Sequence, residues 1–194
     1  MPFEKFKSFI SSIVSITDIE WLQILDFFEI KLVAKNDCFL EEGQQCDFIA
    51  FIQSGALVYF KLSKKLDEIT TDFAFEGDWV TDNHSRLNHL PSLINIRAIE
   101  DCELVMIKNN NLDVLYDKIP KLEKLGRILM EQAFVKIAQR SIDLQVLSAK
   151  ERYIQLLDQY PAVFQRMPLY HIANYLGVAP KSLSRIRKEI SLGR

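Results

Sequence analysis

The residues of this chain best suited to chemistry lie near its carboxy terminus, where Lys181, Ser182, Ser184, Arg185 and Lys188 follow one another closely. All five donate hydrogen bonds, and three are cationic. Between them Leu183, Ile186 and Ile190 stand at i, i+3 and i+7, so the apolar three share one face of a helix and the polar five the other. Pro180 opens this helix and Gly177 makes the turn before it. Pro168 opens a preceding helix whose inner face is Ile172, Ala173 and Leu176, the alanine letting the second helix approach closely. Helix, tight turn and donor-faced helix is an arrangement that fits the major groove of DNA. Arg185 is the candidate for guanine, because its planar guanidinium matches the O6 and N7 acceptors. Lys181 and Ser182 suit bases or phosphates, and Arg187 and Lys188 the backbone. Tyr170 and His171, at the start of the first helix, are further candidates for phosphate contact. Ala179 stands where a Ser or Thr cap is usual, at a cost of about 1 kcal/mol. A solvated basic face is the competing reading of the same residues.

Other chemistries find less to use. Cys38, Cys46 and Cys102 are scattered and lack metal-ligand or redox spacing, so they read as structural, and no metal or other cofactor is expected. His84 and His89 fall in a loop over 82–90 and read as solvent-facing. There is no phosphate-cradling glycine loop and no nucleophile motif, and the carboxylates are dispersed, so an enzyme is not expected. The amino terminus carries Glu4, Lys5 and Lys7 and no small-residue cleavage site. No run approaches the roughly 18 apolar residues of a membrane span. A cytoplasmic protein without a membrane partner is the expectation.

The elements that must position these groups follow from composition and periodicity. The 194 residues are 48% hydrophobic and 26% charged, which suits an ordinary globular chain with room for two domains. The net charge of −2 is unevenly divided. Residues 148–194 hold eight Lys/Arg against three Asp/Glu, while the remainder holds 16 against 23. That asymmetry suggests an acidic module joined to a basic, phosphate-facing one.

Helical spacing opens the chain over 3–14 and 18–28, with Thr17 and Glu20 as a capping box. From 30 to 108 the texture becomes β-rich: 47–53, 56–62, 69–75, 96–100 and 103–108, punctuated by Gly43, Ser54-Gly55 and Gly77. Turns at such intervals indicate an antiparallel barrel or sandwich. A short helix is predicted over 111–117 and a long one over 120–147, roughly 40 Å at about 1.5 Å per residue. Its stripe, Leu122, Leu125, Leu129, Ala133, Ile137 and, beyond a break in pattern, Ile142, Leu144 and Leu147, needs a partner. A second copy of the chain is the economical one, packing against its own β-domain the alternative. Gly126, costing about 1 kcal/mol relative to alanine, marks either a close crossing or tolerated slack. A further amphipathic helix covers 149–160 and stops at Pro161.

The segment Glu151-Arg-Tyr-Ile-Gln-Leu-Leu157, the helix-turn-helix over 169–187, and the motifs Phe39-Leu-Glu-Glu-Gly43, Phe51-Ile-Gln-Ser-Gly55 and Phe75-Glu-Gly-Asp-Trp79 together resemble the Crp/Fnr superfamily over nearly the whole chain. The resemblance implies an α+β fold. A cyclic-nucleotide-binding-like β-roll (jelly-roll-like) with its amino-terminal helices would cover 1–118, a dimerisation helix 119–147 and a DNA-binding helix-turn-helix domain 148–194. It further implies a homodimeric transcription regulator on double-stranded, roughly palindromic DNA, with RNA polymerase as partner and a small-molecule effector in a pocket built from Phe75, Glu76, Gly77, Asp78 and Ser92.

The chain departs from that pattern in informative places. Asp78 follows Gly77 where cyclic-AMP-binding relatives carry glutamate, and Ser92-Leu93 occupies the place of the Arg-Ser or Arg-Thr pair that neutralises the phosphate. Arg86 and Arg97 are poorly placed substitutes. An unneutralised phosphate in a partly buried pocket is costly, so a response to cyclic AMP is not expected. The cysteine cluster of oxygen-sensing relatives is missing, as is a strand wing before the helix-turn-helix. Two alternatives stay open: a regulator answering to a cyclic nucleotide or another small ligand, and a ligand- or protein-binding module whose helix-turn-helix no longer reads DNA.

Overall fold

The computed structural model describes residues 3–192. Two amino-terminal helices, α1 (Glu4–Ile13) and α2 (Asp18–Leu25), precede strands β1 (Glu29–Val33), β2 (Cys38–Leu40), β3 (Phe48–Ser54), β4 (Leu57–Leu62), β5 (Glu68–Ala74) and β6 (Trp79–Val80). Helix α3 (Asn83–Asn88), strands β7 (Asn95–Ala98) and β8 (Cys102–Lys108), and helices α4 (Asn109–Lys118), α5 (Lys121–Val146), α6 (Ala149–Gln159), α7 (Val163–Arg166), α8 (Leu169–Tyr175) and α9 (Pro180–Leu192) follow. The strands form two four-stranded sheets, ordered β1-β8-β3-β6 and β2-β7-β4-β5. This is the expected α+β fold, a β-roll followed by a long helix and a helical carboxy-terminal region.

The chain packs as two units, Met1–Tyr59 with Phe73–Glu131, and Phe60–Asp72 with Gln132–Arg194. In the first, strand alternation sorts side chains to two cores. Phe48, Ala50 and Ile52 of β3 and Cys102, Leu104 and Met106 of β8 join Leu40, Leu57, Ile96 and Ala98 in one core. Phe51 of β3 and Val105 and Ile107 of β8 meet a helical layer containing Phe6, Ile10, Trp21, Ile24, Leu112, Leu115, Leu122 and Leu125. Burial on both faces explains why β3 reads as a nearly unbroken apolar run.

The Thr17–Glu20 capping box forms, and Glu20 also receives Lys121 Nζ at 2.7 Å. Gly126 gives room to the phenol of Tyr116, which a Cβ there would strike, so the glycine marks close packing of α4 on α5. The stripe foreseen along the long helix is divided: Leu122 and Leu125 are buried in the helical layer with Leu129 packed beside them, whereas Ile137, Ile142 and Leu144 are exposed, as are Phe134 and Val146 outside the stripe. The segment holding His84 and His89 is α3 and its left-handed C-cap, not an open loop, because Asp82 caps it through the His84 amide.

In the second unit Tyr153, Leu156, Val163, Met167, Ile172, Ala173, Leu176 and Leu183 are buried. Ser148 and Glu151 form a capping box at the start of α6, a Ser-x-x-Glu signal present in the sequence.

Candidate nucleic-acid interface

The turn that aims α9 is built from backbone chemistry. Gly177 takes φ +68°, its amide donates to the Asn174 carbonyl at 2.9 Å, and the Val178 amide donates to the Ala173 carbonyl at 3.0 Å. These two bonds are the Schellman closure of a helix end, which needs the left-handed residue glycine supplies. Arg152 braces the same end, donating through Nε and Nη2 to the Leu176 carbonyl at 3.2 and 2.8 Å and through Nη1 to the Leu147 carbonyl. A cation at a helix carboxy terminus satisfies orphan carbonyls and complements the helix dipole.

Leu183 is buried beneath α9, and Ile186 and Ile190 are partly buried. Lys181, Ser182, Ser184, Arg185, Arg187 and Lys188 are all exposed. The Ser184 hydroxyl donates back to the Pro180 carbonyl at 3.1 Å, so its donor is engaged within the helix. The Arg187 guanidinium lies 5.9 Å from the Phe164 ring centroid, toward the side of the helix. Tyr170 is exposed and stacks on His171 with ring centroids 3.9 Å apart.

His171 departs from its expected surface position. It is fully buried, and its Nδ1 lies 2.7 Å from the hydroxyl of Thr70, itself 2% exposed. Its place in α8 puts it beside Ile172 and Ala173 in the core of the unit, which removes it from the set of phosphate contacts. Thr70, Arg152 and Asn174 were not singled out by sequence. Only Arg152, within the Glu151–Leu157 motif, carried a local signal.

The expected ligand pocket is arranged differently from its sequence order. The Glu76 carboxylate accepts from the Gly55 amide at 2.9 Å, and that of Asp78 accepts from the Phe75 amide at 2.8 Å, so both acids hold turn backbone. Gly77 donates to the Ile52 carbonyl, and Phe75 is buried. The acid that meets Ser92 is Asp82, whose carboxylate accepts the Ser92 hydroxyl at 2.8 Å; both residues are buried. Arg86 reaches Asn83 at 3.0 Å and Asn109 at 3.4 Å, and Arg97 pairs across from Cys38 in the second sheet. Glu76 and Gly77 instead border an open groove of about 560 Å³ with Glu4, Lys5, Ser8, Phe9 and Phe51.

Comparison with known proteins matches residues 30–118 to the cyclic nucleotide-binding domain family. The transcriptional activator protein Anr of Pseudomonas protegens is 25% identical over 163 residues, covering 78% of this chain and 66% of its own length. This chain therefore spans a little under two thirds of that relative. FixK2 from Bradyrhizobium japonicum superposes with a TM-score of 0.73 at 15% identity, over 86% of this chain and 85% of FixK2. A protein of the crp/fnr family from Eubacterium rectale superposes with a TM-score of 0.67 at 18% identity, over 92% and 85%. The alignment with Anr runs well beyond the matched domain, and the structural likeness takes in roll, long helix and terminal helices alike: the chain has a Crp/Fnr-like fold, with a cyclic nucleotide-binding domain match over 30–118.

Proposed function

We propose that the chain is a homodimeric, sequence-specific DNA-binding transcription regulator, acting in the cytoplasm with RNA polymerase as its partner. The observation that carries this reading is the outer face of α9, where Lys181, Ser182, Arg185 and Lys188 are exposed on a helix whose inner side is packed and whose entry turn is fixed. Lys181, Ser182 and Arg185 occupy the amino-terminal half of the helix, the half that touches base edges when such a helix enters the major groove. Lys188 and Tyr170 are the phosphate contacts of this scheme. In this reading the domain boundaries fall at 118 and 147, with the reading head at 148–194.

The roll is not a cyclic AMP sensor in this reading. Where a phosphate needs a cation, Ser92 already donates to the Asp82 carboxylate, and a second anion there would be repelled. A small-molecule effector of other chemistry remains compatible with the fold.

The test is binding to a duplex selected on the protein from a random-sequence pool. Arg185→Ala is expected to cost about 1–3 kcal/mol and to relax preference at one base pair. Lys188→Ala is expected to weaken matched and mismatched duplexes alike and to reduce the salt slope by about one. Equal discrimination by wild type and Arg185→Ala would remove the base-reading role. Binding insensitive to salt would point to a protein-interaction surface instead.

A further inference from the structure

The tip of the β4–β5 hairpin belongs to the same unit as the helix-turn-helix, although about a hundred residues separate them in sequence. It touches α8 at chemically specific points. Thr70 Oγ1 and His171 Nδ1 are 2.7 Å apart in the buried interior, and the Asn174 side-chain amide donates to the Glu68 carbonyl at 2.8 Å. The Arg140 guanidinium donates to the Thr71 carbonyl, lies 3.9 Å from the Asp72 carboxylate, and covers the Tyr175 ring at 3.9 Å. Lys136 reaches Asp72 at 3.7 Å.

Helix α8 needs such support. It has only seven residues, too few to persist alone, and no side chain caps its amino terminus. Its Ala173 and Leu176 are buried with Leu183 of α9, so whatever fixes α8 fixes the recognition helix. A buried hydroxyl–imidazole bond is directional, and losing one partner leaves the other unsatisfied in a dry interior.

We infer that Thr70 and His171 are positioning residues for DNA reading: the β4–β5 hairpin clamps α8, and through it sets the attitude of α9, without itself touching DNA. This inference rests on the DNA-reading assignment above.

The experiment measures affinity for the selected duplex and amide hydrogen exchange in the full chain. Thr70→Val, which keeps shape and removes the hydroxyl, is expected to weaken binding about five- to tenfold, the scale of one buried hydrogen bond. The salt slope should stay the same, because no phosphate contact is lost. Amides over 169–176 should exchange faster while those of β3 and β8 do not change. Thr70→Ser restores the hydroxyl and should restore affinity. Should Thr70→Val fold poorly, His171→Asn, whose amide can stand near the Nδ1 position, is expected to bind better than His171→Phe. Wild-type binding with unchanged affinity in Thr70→Val, or a loss that Thr70→Ser does not repair, overturns the clamp alone. Failure of the wild type to bind any duplex overturns the DNA-reading assignment and the clamp with it.

Discussion

Asp78 and Asp82 are near neighbours in sequence and do different things. Asp78 holds the Phe75 amide, whereas Asp82 receives both the Ser92 hydroxyl and the His84 amide. Their distinction was not legible in sequence, because which acid meets Ser92 depends on how α3 folds back. His171 was misread for a similar reason: its partner is Thr70, in another element. The face of α9 was legible because type and spacing act within a single helix. Glu20 shows how local and distant bonds add. Hydrogen bonds from Lys121, the Thr17 amide and the Thr17 hydroxyl, with the Lys121 charge behind them, lower its pKa from 4.5 to about 2. A depressed carboxylate stabilises the fold fully above its ordinary value, and that contribution is lost as pH falls from 4.5 toward about 2. Denaturant titrations across this range should show a shallower acid limb in Glu20→Gln than in the wild type. Superimposable limbs would mean that Glu20 does not contribute.

Among the elements, β3 and β8 were legible because apolar residues dominate them, and α9 and α5 because their spacing is helical. Strand β1 escaped notice although Ile30 and Leu32 alternate with Glu29 and Lys31, since the run is short and four of its five residues are exposed, so the alternation marks no buried face. For the stripe of α5 a second copy and the chain's own β-domain were alternative partners, and the helical layer buries its first part. Turns follow backbone needs more closely. At Gly177 an added Cβ would find only ordinary contacts, so Gly177→Ala is expected to cost about 1–2 kcal/mol, the penalty of the left-handed conformation. At Gly55, with φ +99°, a Cβ would collide with the Asp101 carbonyl and with Cys102. Gly55→Ala should therefore cost more, about 3 kcal/mol or above, since a backbone shift is added to the strain. Chemical denaturation of the two variants checks the order, and the reverse order would contradict it.

For the whole molecule, the charge division and the exposed part of α5 point the same way. The basic end carries α9, and Phe134 and Ile137, 72% and 69% exposed, form an apolar face that no described residue of the chain covers. Helix pairing through such residues is the simplest way to bury them. If the proposed dimer forms through this face, Phe134→Glu combined with Ile137→Glu is expected to give monomers in sedimentation at micromolar concentration where the wild type sediments as a dimer, and to weaken DNA binding by removing the second half-site contact. A wild-type monomer with full DNA affinity would rule out this use of the helix. The hairpin tip at Phe60–Asp72 also bears on how the protein can be divided. Its carboxy-terminal unit is discontinuous along the chain, so no single cut releases it whole. A fragment beginning at residue 132 would carry every residue of α9 and still lack Thr70, and the gene segment that encodes the helix-turn-helix does not encode the whole of its support.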